Sequence, residues 1–473
     1  VIFLLWFLPV IGFCQNTTLQ KCLSIASENN ISVKQARSAL LSSNYNLQAE
    51  RKNYLPKVDL LSSYTYLSSP LRVNLQTVRD GVVEGSSIQS VNAANEVFKE
   101  VTGNDLSQAA QDRIYNTSRS IMGGIYPDYN PSLSKQSYLV AGVGVRQPIF
   151  LGRKLDDAGN LAESLVASAG INVELVNKEV DFLIATLYLR FLYLNTLFNK
   201  QQLMVDALIN NNNYAQELVK NQILAPYQKS WTKVILTQAA SQLNNIKLDQ
   251  QNTHIELNKA LGVPLDSIIV ITDTLKYTAI EPYEPEGEFW ESNPLYKMAG
   301  SKVSYAQTAE RISKSFSLPN IFAIGNYNLY QRDLPLLMPD WFVGVELQWN
   351  LFNGQTRKRT LAARQLIDEA KLAEENAQLR IQVLSTVARN KMRSLHNEVA
   401  SLDSARKEAH TTTHLITERM KNQLSSPKDV NDALMIEMEV EKGYYLAVFS
   451  YFLAAAEYFN SLGKPQQITQ YIK

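Results

Sequence analysis

The stretch Ala141 to Gly152, AGVGVRQPIFLG, recurs without gaps as Val343 to Gly354, VGVELQWNLFNG. Gly142 matches Gly344, Val143 matches Val345, Phe150 matches Phe352 and Gly152 matches Gly354, each pair 202 residues apart. Each copy is shorter than the run of about 20 residues that a spanning helix needs. Its β-branched and aromatic content predicts one strand closed by a turn glycine, Gly152 in the first copy and Gly354 in the second. A long helical pattern follows each copy, so the chain reads as a tandem repeat.

The repeat extends both ways. ENNISVKQARS from Glu28 aligns with ESNPLYKMAGS from Glu291, and the same spacing carries Leu55-Pro56 onto Leu318-Pro319 and Tyr64 onto Tyr327. Downstream, ELVKNQILAP (Glu217 to Pro226) aligns with ERMKNQLSSP (Glu418 to Pro427), and LGVP at Leu261 with LGKP at Leu462. The offset falls from 263 upstream to 202 at the strand, so the first half holds about 61 extra residues between its two strands. A period near 200 residues marks a duplicated domain rather than a solenoid.

The expected organisation is a signal segment at 1–14, a first repeat at 15–265, a linker at 266–288 and a second repeat at 289–473. The first repeat has strands near 57–67 and 138–150, an insertion near 68–136 and a helical hairpin at 153–262. The second has strands near 320–330 and 341–352 and a hairpin at 355–463. The insertion is polar, with short helices expected at Val91 to Val101 and Leu106 to Met122. Leu19 to Asn53 has helical spacing, and Val58 to Leu67 alternates as a strand. The fold class is mostly α with a small β portion.

From Arg153 to Leu224 there is no proline, and from Arg357 to Leu424 neither proline nor glycine. A helix of about 70 residues is on the order of 100 Å long. In the second copy Leu366, Ala370, Ala373, Ala377, Ile381, Leu384, Ala388, Met392, Leu395, Val399 and Leu402 form one apolar stripe, and Leu372, Leu379, Val383 and Val387 a second beside it. Two stripes call for neighbours on two sides. The hairpins turn at Ala225-Pro226 and Ser426-Pro427, with return helices expected at Ser230 to Leu261 and Val430 to Leu462. Phe182 to Phe198 is apolar but too short to span and contains Arg190, which makes it a buried helical segment.

The 46 basic and 45 acidic residues leave a net charge of +1, without the basic footprint of a nucleic-acid binder. Val1 to Phe13 has the length of a signal-peptide core, with cleavage expected after Cys14 and the charged n-region and initiating Met expected upstream of Val1. Phe13 is too large to precede a lipidated cysteine. Cys22 then stands alone in the mature chain, and no intrachain disulfide can form.

Together, the two strand pairs, the Leu-Pro and glycine punctuation, the duplicated hairpins and the signal segment resemble the bacterial outer-membrane efflux proteins, the TolC-like channels. The resemblance implies a homotrimeric α/β barrel tube. Four strands per chain would complete one membrane β-barrel in outer-membrane lipid, and the long helices would continue it through the periplasm. It also implies a gated conduit of a tripartite efflux or type I secretion system, with a periplasmic adaptor and an inner-membrane pump as partners. Trp341, Trp349, Tyr327, Tyr330 and Tyr138 would serve as interfacial aromatics.

By the same resemblance the hairpin tips, with Asn221, Gln222 and Pro226 in one and Asn422, Gln423 and Pro427 in the other, would meet the adaptor. The family usually has a glycine where Gln222 and Gln423 stand. Asp429 and Asp432 resemble the aspartate pair of the periplasmic gate. Their i, i+3 spacing puts both on one helix face, where a ring of carboxylates would favour cations; an acidic first helical turn is the structural alternative.

No phosphate loop, dinucleotide fingerprint, GxSxG elbow or CxxC pair is present, which gives no basis for an enzyme or a cofactor. His410 and His414 have metal-compatible spacing but no third ligand, so no metal is expected. The competing reading is a periplasmic coiled-coil scaffold or adhesin without a pore.

Overall fold

The structure, a computed structural model, describes residues 17–472 except 128, 129, 131, 133, 282–284, 286 and 334–337. The expected signal segment and part of the short connection after the third strand lie outside the described residues. In chain order the elements are α1 (Leu19–Asn29), α2 (Ile31–Arg51), β1 (Lys57–Tyr66), α3 (Gln76–Thr102), α4 (Gln108–Ile125), β2 (Ser137–Phe150), α5 (Lys154–Lys220) and α6 (Pro226–Leu261). There follow α7 (Pro294–Ser315), β3 (Asn320–Arg332), β4 (Trp341–Gln348), α8 (Gly354–Lys421) and α9 (Pro427–Ser461). Two compact units interleave the sequence halves: one holds 1–51, 154–315 and 353–473, the other 52–153 and 316–352.

In the first unit the helices pack around Tyr188, Leu192, Leu257, Tyr451, Phe452 and Tyr458, all essentially buried. The apolar segment of α5 has the length and composition of a membrane span, yet Ile184, Tyr188, Leu189 and Leu192 are core residues. Ala454, Ala455 and Ala456 are fully buried, so small side chains on α9 sit between the bulky Phe452 and Tyr458 in this core. The expected linker is part of this core. Leu275 and Ile280 are buried, and the Tyr451 hydroxyl donates to the Ile280 carbonyl (3.0 Å) while accepting from its N–H (2.7 Å).

Asn30 divides the helix expected over Leu19 to Asn53. Its Oδ1 accepts from the N–H groups of Ser32 (2.8 Å) and Val33 (3.2 Å), which starts α2 afresh. Its Nδ2 donates to the Ala260 carbonyl at the end of α6 (2.6 Å). Asn293 does the same in the second half, accepting from Leu295 N–H (2.9 Å) and donating to the Ser461 carbonyl at the end of α9 (2.8 Å). Gly262 and Gly463 follow these helix ends, both at φ 72°. A Cβ on Gly262 would stand 2.3 Å from the Asn29 carbonyl oxygen. The aligned ENN/ESN and LG motifs therefore serve one contact, made twice.

The second unit holds an antiparallel sheet in the order β1-β2-β3-β4. Its insertion is a pair of helices longer than expected, because Gly81 and Gly85 are absorbed inside α3 rather than breaking it. Ser118 donates to Ser90 between them (3.0 Å), and Arg79 Nε donates to the Tyr126 carbonyl (2.7 Å).

Three further expectations are corrected. β4 ends at Gln348 rather than at 352, and Trp349 turns its indole N–H to the Ser317 carbonyl (3.1 Å). Gly354 is not a turn glycine. Asn353 caps α8 by accepting from Gln355 N–H (3.0 Å), which makes Gly354 the first helical residue. Gly152 does turn the chain, with φ 59°. The return helices begin at Pro226 and Pro427, earlier than expected, because proline suits the first helical position.

Candidate functional site

Residues paired directly across an antiparallel ladder share a face. The registers Leu60↔Val143, Val143↔Tyr327 and Tyr327↔Trp341 therefore define one face through all four strands. That face carries Val58, Leu60, Tyr64, Tyr66, Leu139, Ala141, Val143, Val145, Ile321, Ala323, Tyr327, Trp341, Val343, Val345 and Leu347, with Ser62, Ser137 and Gln147 as polar interruptions; past the irregularity in β3 the register adds Tyr330 opposite Ala141 and, at the strand end, the charged Arg332 opposite Leu139. Its β1 and β4 residues are exposed (Leu60 72%, Tyr64 67%, Val343 76% and Val345 69%), and most of those in β2 and β3 are half-buried. The charged Lys57, Asp59, Arg146 and Glu346 all lie on the opposite face. There Arg146 pairs with Glu346 (3.3 Å) and stacks over Phe322 (3.9 Å). Tyr138, expected among the interfacial aromatics, pairs with Thr65 and belongs to this polar face. Trp349 lies beyond β4.

A sheet with one predominantly apolar face, and with most of its charges and its Arg146–Glu346 pair on the other, fits hydrocarbon on one side and water on the other. β1 and β4 each have a free edge in the single chain.

The hairpin tips in the helical unit share one backbone. At the end of α5, Gln222 N–H bonds to Val219 O (3.0 Å) and Ile223 N–H to Leu218 O (2.9 Å). At the end of α8, Gln423 N–H bonds to Met420 O (2.9 Å) and Leu424 N–H to Arg419 O (2.8 Å). These paired bonds are a Schellman motif, whose left-handed position glycine normally fills. Gln222 (φ 59°) and Gln423 (φ 62°) occupy it here.

Beyond the turn the tips differ. Ala225 offers α6 no side-chain cap, whereas Ser426 and Asp429 form a capping box on α9. The Asp429 carboxylate accepts from Ser426 N–H (2.8 Å) and Oγ (2.9 Å). These bonds, the backbone one foremost, hold its pKa below the usual carboxylate value. Asp432 instead pairs with Lys428 (2.7 Å), which raises the lysine's pKa, through the hydrogen bond first. Both aspartates line one groove of about 450 Å³ with Arg419 and Ser425. The other expected tip residues, Asn221 and Asn422, lie beside the turns and are exposed.

The sequence reading missed the polar ties behind the tips. Asn211 Nδ2 donates to Asn431 Oδ1 (2.6 Å) and to the Pro427 carbonyl (2.7 Å), fastening α5 to α9. Its neighbour Asn212 accepts from the Thr232 hydroxyl (3.0 Å), fastening α5 to α6. All four side chains are buried. The run Asn210 to Asn213, poor helix formers inside a long helical pattern, was their trace in the sequence. His410, considered above as a metal ligand, bonds through Nδ1 to Glu437 (2.8 Å).

No protein-family profile matches the chain. No curated protein matches it by sequence. Solved structures do match. The outer membrane protein VceC from Vibrio cholerae superposes with a TM-score of 0.68 at 14% identity, over 94% of this chain and 96% of that one. The Campylobacter jejuni CmeC outer membrane channel gives 0.71 at 13% identity, over 94% and 85%. The open Neisseria gonorrhoeae MtrE outer membrane channel gives 0.69 at 14% identity, over 94% and 89%. The chain has the outer-membrane channel fold. Within that fold both the strands and the helical hairpins are accounted for, since each match spans nearly the whole chain.

Proposed function

We propose that the chain is one subunit of a homotrimeric outer-membrane channel, a passive gated conduit from periplasm to exterior. The observation that carries this reading is the four-stranded sheet, predominantly apolar on one face, with most of its charges on the other, and open at both edges. In hydrocarbon an open edge is not tolerated, so the ring must be closed by further copies. Two copies would give eight strands, an interior that side chains fill, whereas three give twelve and leave room for a lumen. The exposed stripe Leu372, Leu379, Val383 and Val387 on α8 supports the same reading, as a helical seam between copies.

In this reading the two halves arose by duplication, the tips meet a periplasmic adaptor of an inner-membrane pump, and the second tip gates the tube. Efflux and type I secretion both suit such a conduit. Asp429 acts in its ionised, capped form and Asp432 in exchange with Lys428, so three copies ring the periplasmic mouth with carboxylates. Asp429→Asn with Asp432→Asn should raise single-channel conductance and lower cation preference. Unchanged conductance and selectivity would remove the gate role. The barrel itself predicts heat-modifiable migration and spontaneous insertion into lipid; a chain that stays water-soluble contradicts it.

A further inference from the structure

We infer that β1 of one copy pairs with β4 of the next in a single register, with Trp341 opposite Tyr66, Val343 opposite Tyr64, Val345 opposite Ser62 and Leu347 opposite Leu60. The inference rests on the closed-barrel reading and adds to it the pairs that build the seam.

Backbone phase sets the first limit. Leu67 N–H donates to the Gln136 carbonyl (2.7 Å), and Asn328 N–H donates to the Asp340 carbonyl (2.7 Å). Along an antiparallel ladder the bonding direction alternates from residue to residue. The odd-numbered residues of β1 are therefore turned to β2, and Val58, Leu60, Ser62, Tyr64 and Tyr66 point their N–H and C=O groups at the free edge. In β4 the even-numbered residues are turned to β3, and Trp341, Val343, Val345 and Leu347 present the free groups. These are the same residues that carry the apolar face. A slip of one residue across the seam would mismatch the hydrogen bonds and set apolar side chains against charged ones.

Strand length sets the second. β4 has 8 residues and β1 has 10. Pairing the whole of β4, as hydrocarbon demands of every backbone group, leaves three offsets, and the phase removes the middle one. Trp341 then faces either Tyr64 or Tyr66.

Charge decides between these two. Opposite Tyr64, Trp341 brings Glu346 directly across from Asp59, and like charges in that position destabilise a pair. Opposite Tyr66, it sets Glu346 against Leu61 and Asp59 against Gln348, and it brings Val343 against Tyr64, a favourable β-branched and aromatic pair.

Disulfide trapping in the full-length, membrane-inserted protein tests the register. Directly opposed residues of a bonded pair lie about 5.5 Å apart at Cα, within disulfide reach, whereas diagonal ones at about 7–8 Å are not. The background is quiet at Cys22, which is fully buried, with burial pushing its thiol pKa up to about 12; the single Val343→Cys variant serves as the control for any other thiol. After mild oxidation, Val343→Cys with Tyr64→Cys should give covalent trimer as the dominant band, and Val343→Cys with Ser62→Cys only background. The reverse pattern overturns the register and leaves the barrel intact. Failure of both pairs in a protein that is still trimeric and conducting also overturns the register. Failure of both in a monomer removes the barrel reading on which it rests.

Discussion

The two hairpin tips have the same backbone and different chemistry. Each ends its long helix in a Schellman turn on a left-handed glutamine, and each restarts on proline. Only the second adds a side-chain cap, a carboxylate pair and an arginine in the adjoining groove. The two tips thus turn the chain in the same way, and a few side chains set their chemistry apart. Behind the tips the asymmetry continues. Asn211 holds α9 through an amide and a carbonyl, while Asn212 holds α6 through one hydroxyl.

The sharpest way to break this comparison is at the ties. Asn211→Ala strands the buried Asn431 amide and should cost about 1–3 kcal/mol, read as faster amide exchange in the first turns of α9 and little change in α6. Asn212→Ala should loosen α6 instead, by a smaller amount, since one bond is lost. Equal effects on both helices would contradict the assignment of one tie to each.

The caps come next. Ser426→Ala should destabilise the start of α9 by about 1 kcal/mol, and Ala225→Ser should stabilise the start of α6 by a similar amount or less. The capping box also has a pH signature. Asp429 has a folded pKa below its unfolded value, so its contribution is present above the unfolded value of about 4. It is lost as pH falls through the lower folded value. Amide protection at the second tip, corrected for the intrinsic pH dependence of exchange, should fall in acid toward that of the first, and a pH-independent gap between them would assign the difference to something other than Asp429.

The smallest expected effect is shared. Gln222→Gly and Gln423→Gly each relieve a left-handed conformation that costs an L-residue about 1–2 kcal/mol, offset by the extra entropy glycine loses on folding. Each should stabilise its tip by about 0.5–1 kcal/mol, by equal amounts. Unequal gains would mean that the two turns are held differently.

Much of this was legible in the sequence because periodicity, proline and glycine punctuate helices directly. The strands near 57–67 and 138–150, the long hairpins and their turns all follow from such marks. The fate of Gly354 did not, because a glycine after a strand and a glycine after an Asn cap look alike until the hydrogen bond from Gln355 N–H to Asn353 is seen. The apolar face of the sheet was also hidden. Alternation within β1 alone places Ser62 among Leu60 and Tyr64, and only the register with β2, β3 and β4 assembles one face from four strands. The Asn211 and Asn431 tie joins residues 220 positions apart, so the asparagine run marks one end of it and no local pattern names the partner.

The central claim is that copies of this chain close into a conducting barrel. Planar-bilayer conductance of the purified, detergent-solubilised protein, with its mass determined in the same preparation, tests it most directly. Discrete channel openings from a trimer are predicted; a water-soluble monomer or dimer without conductance would contradict the account.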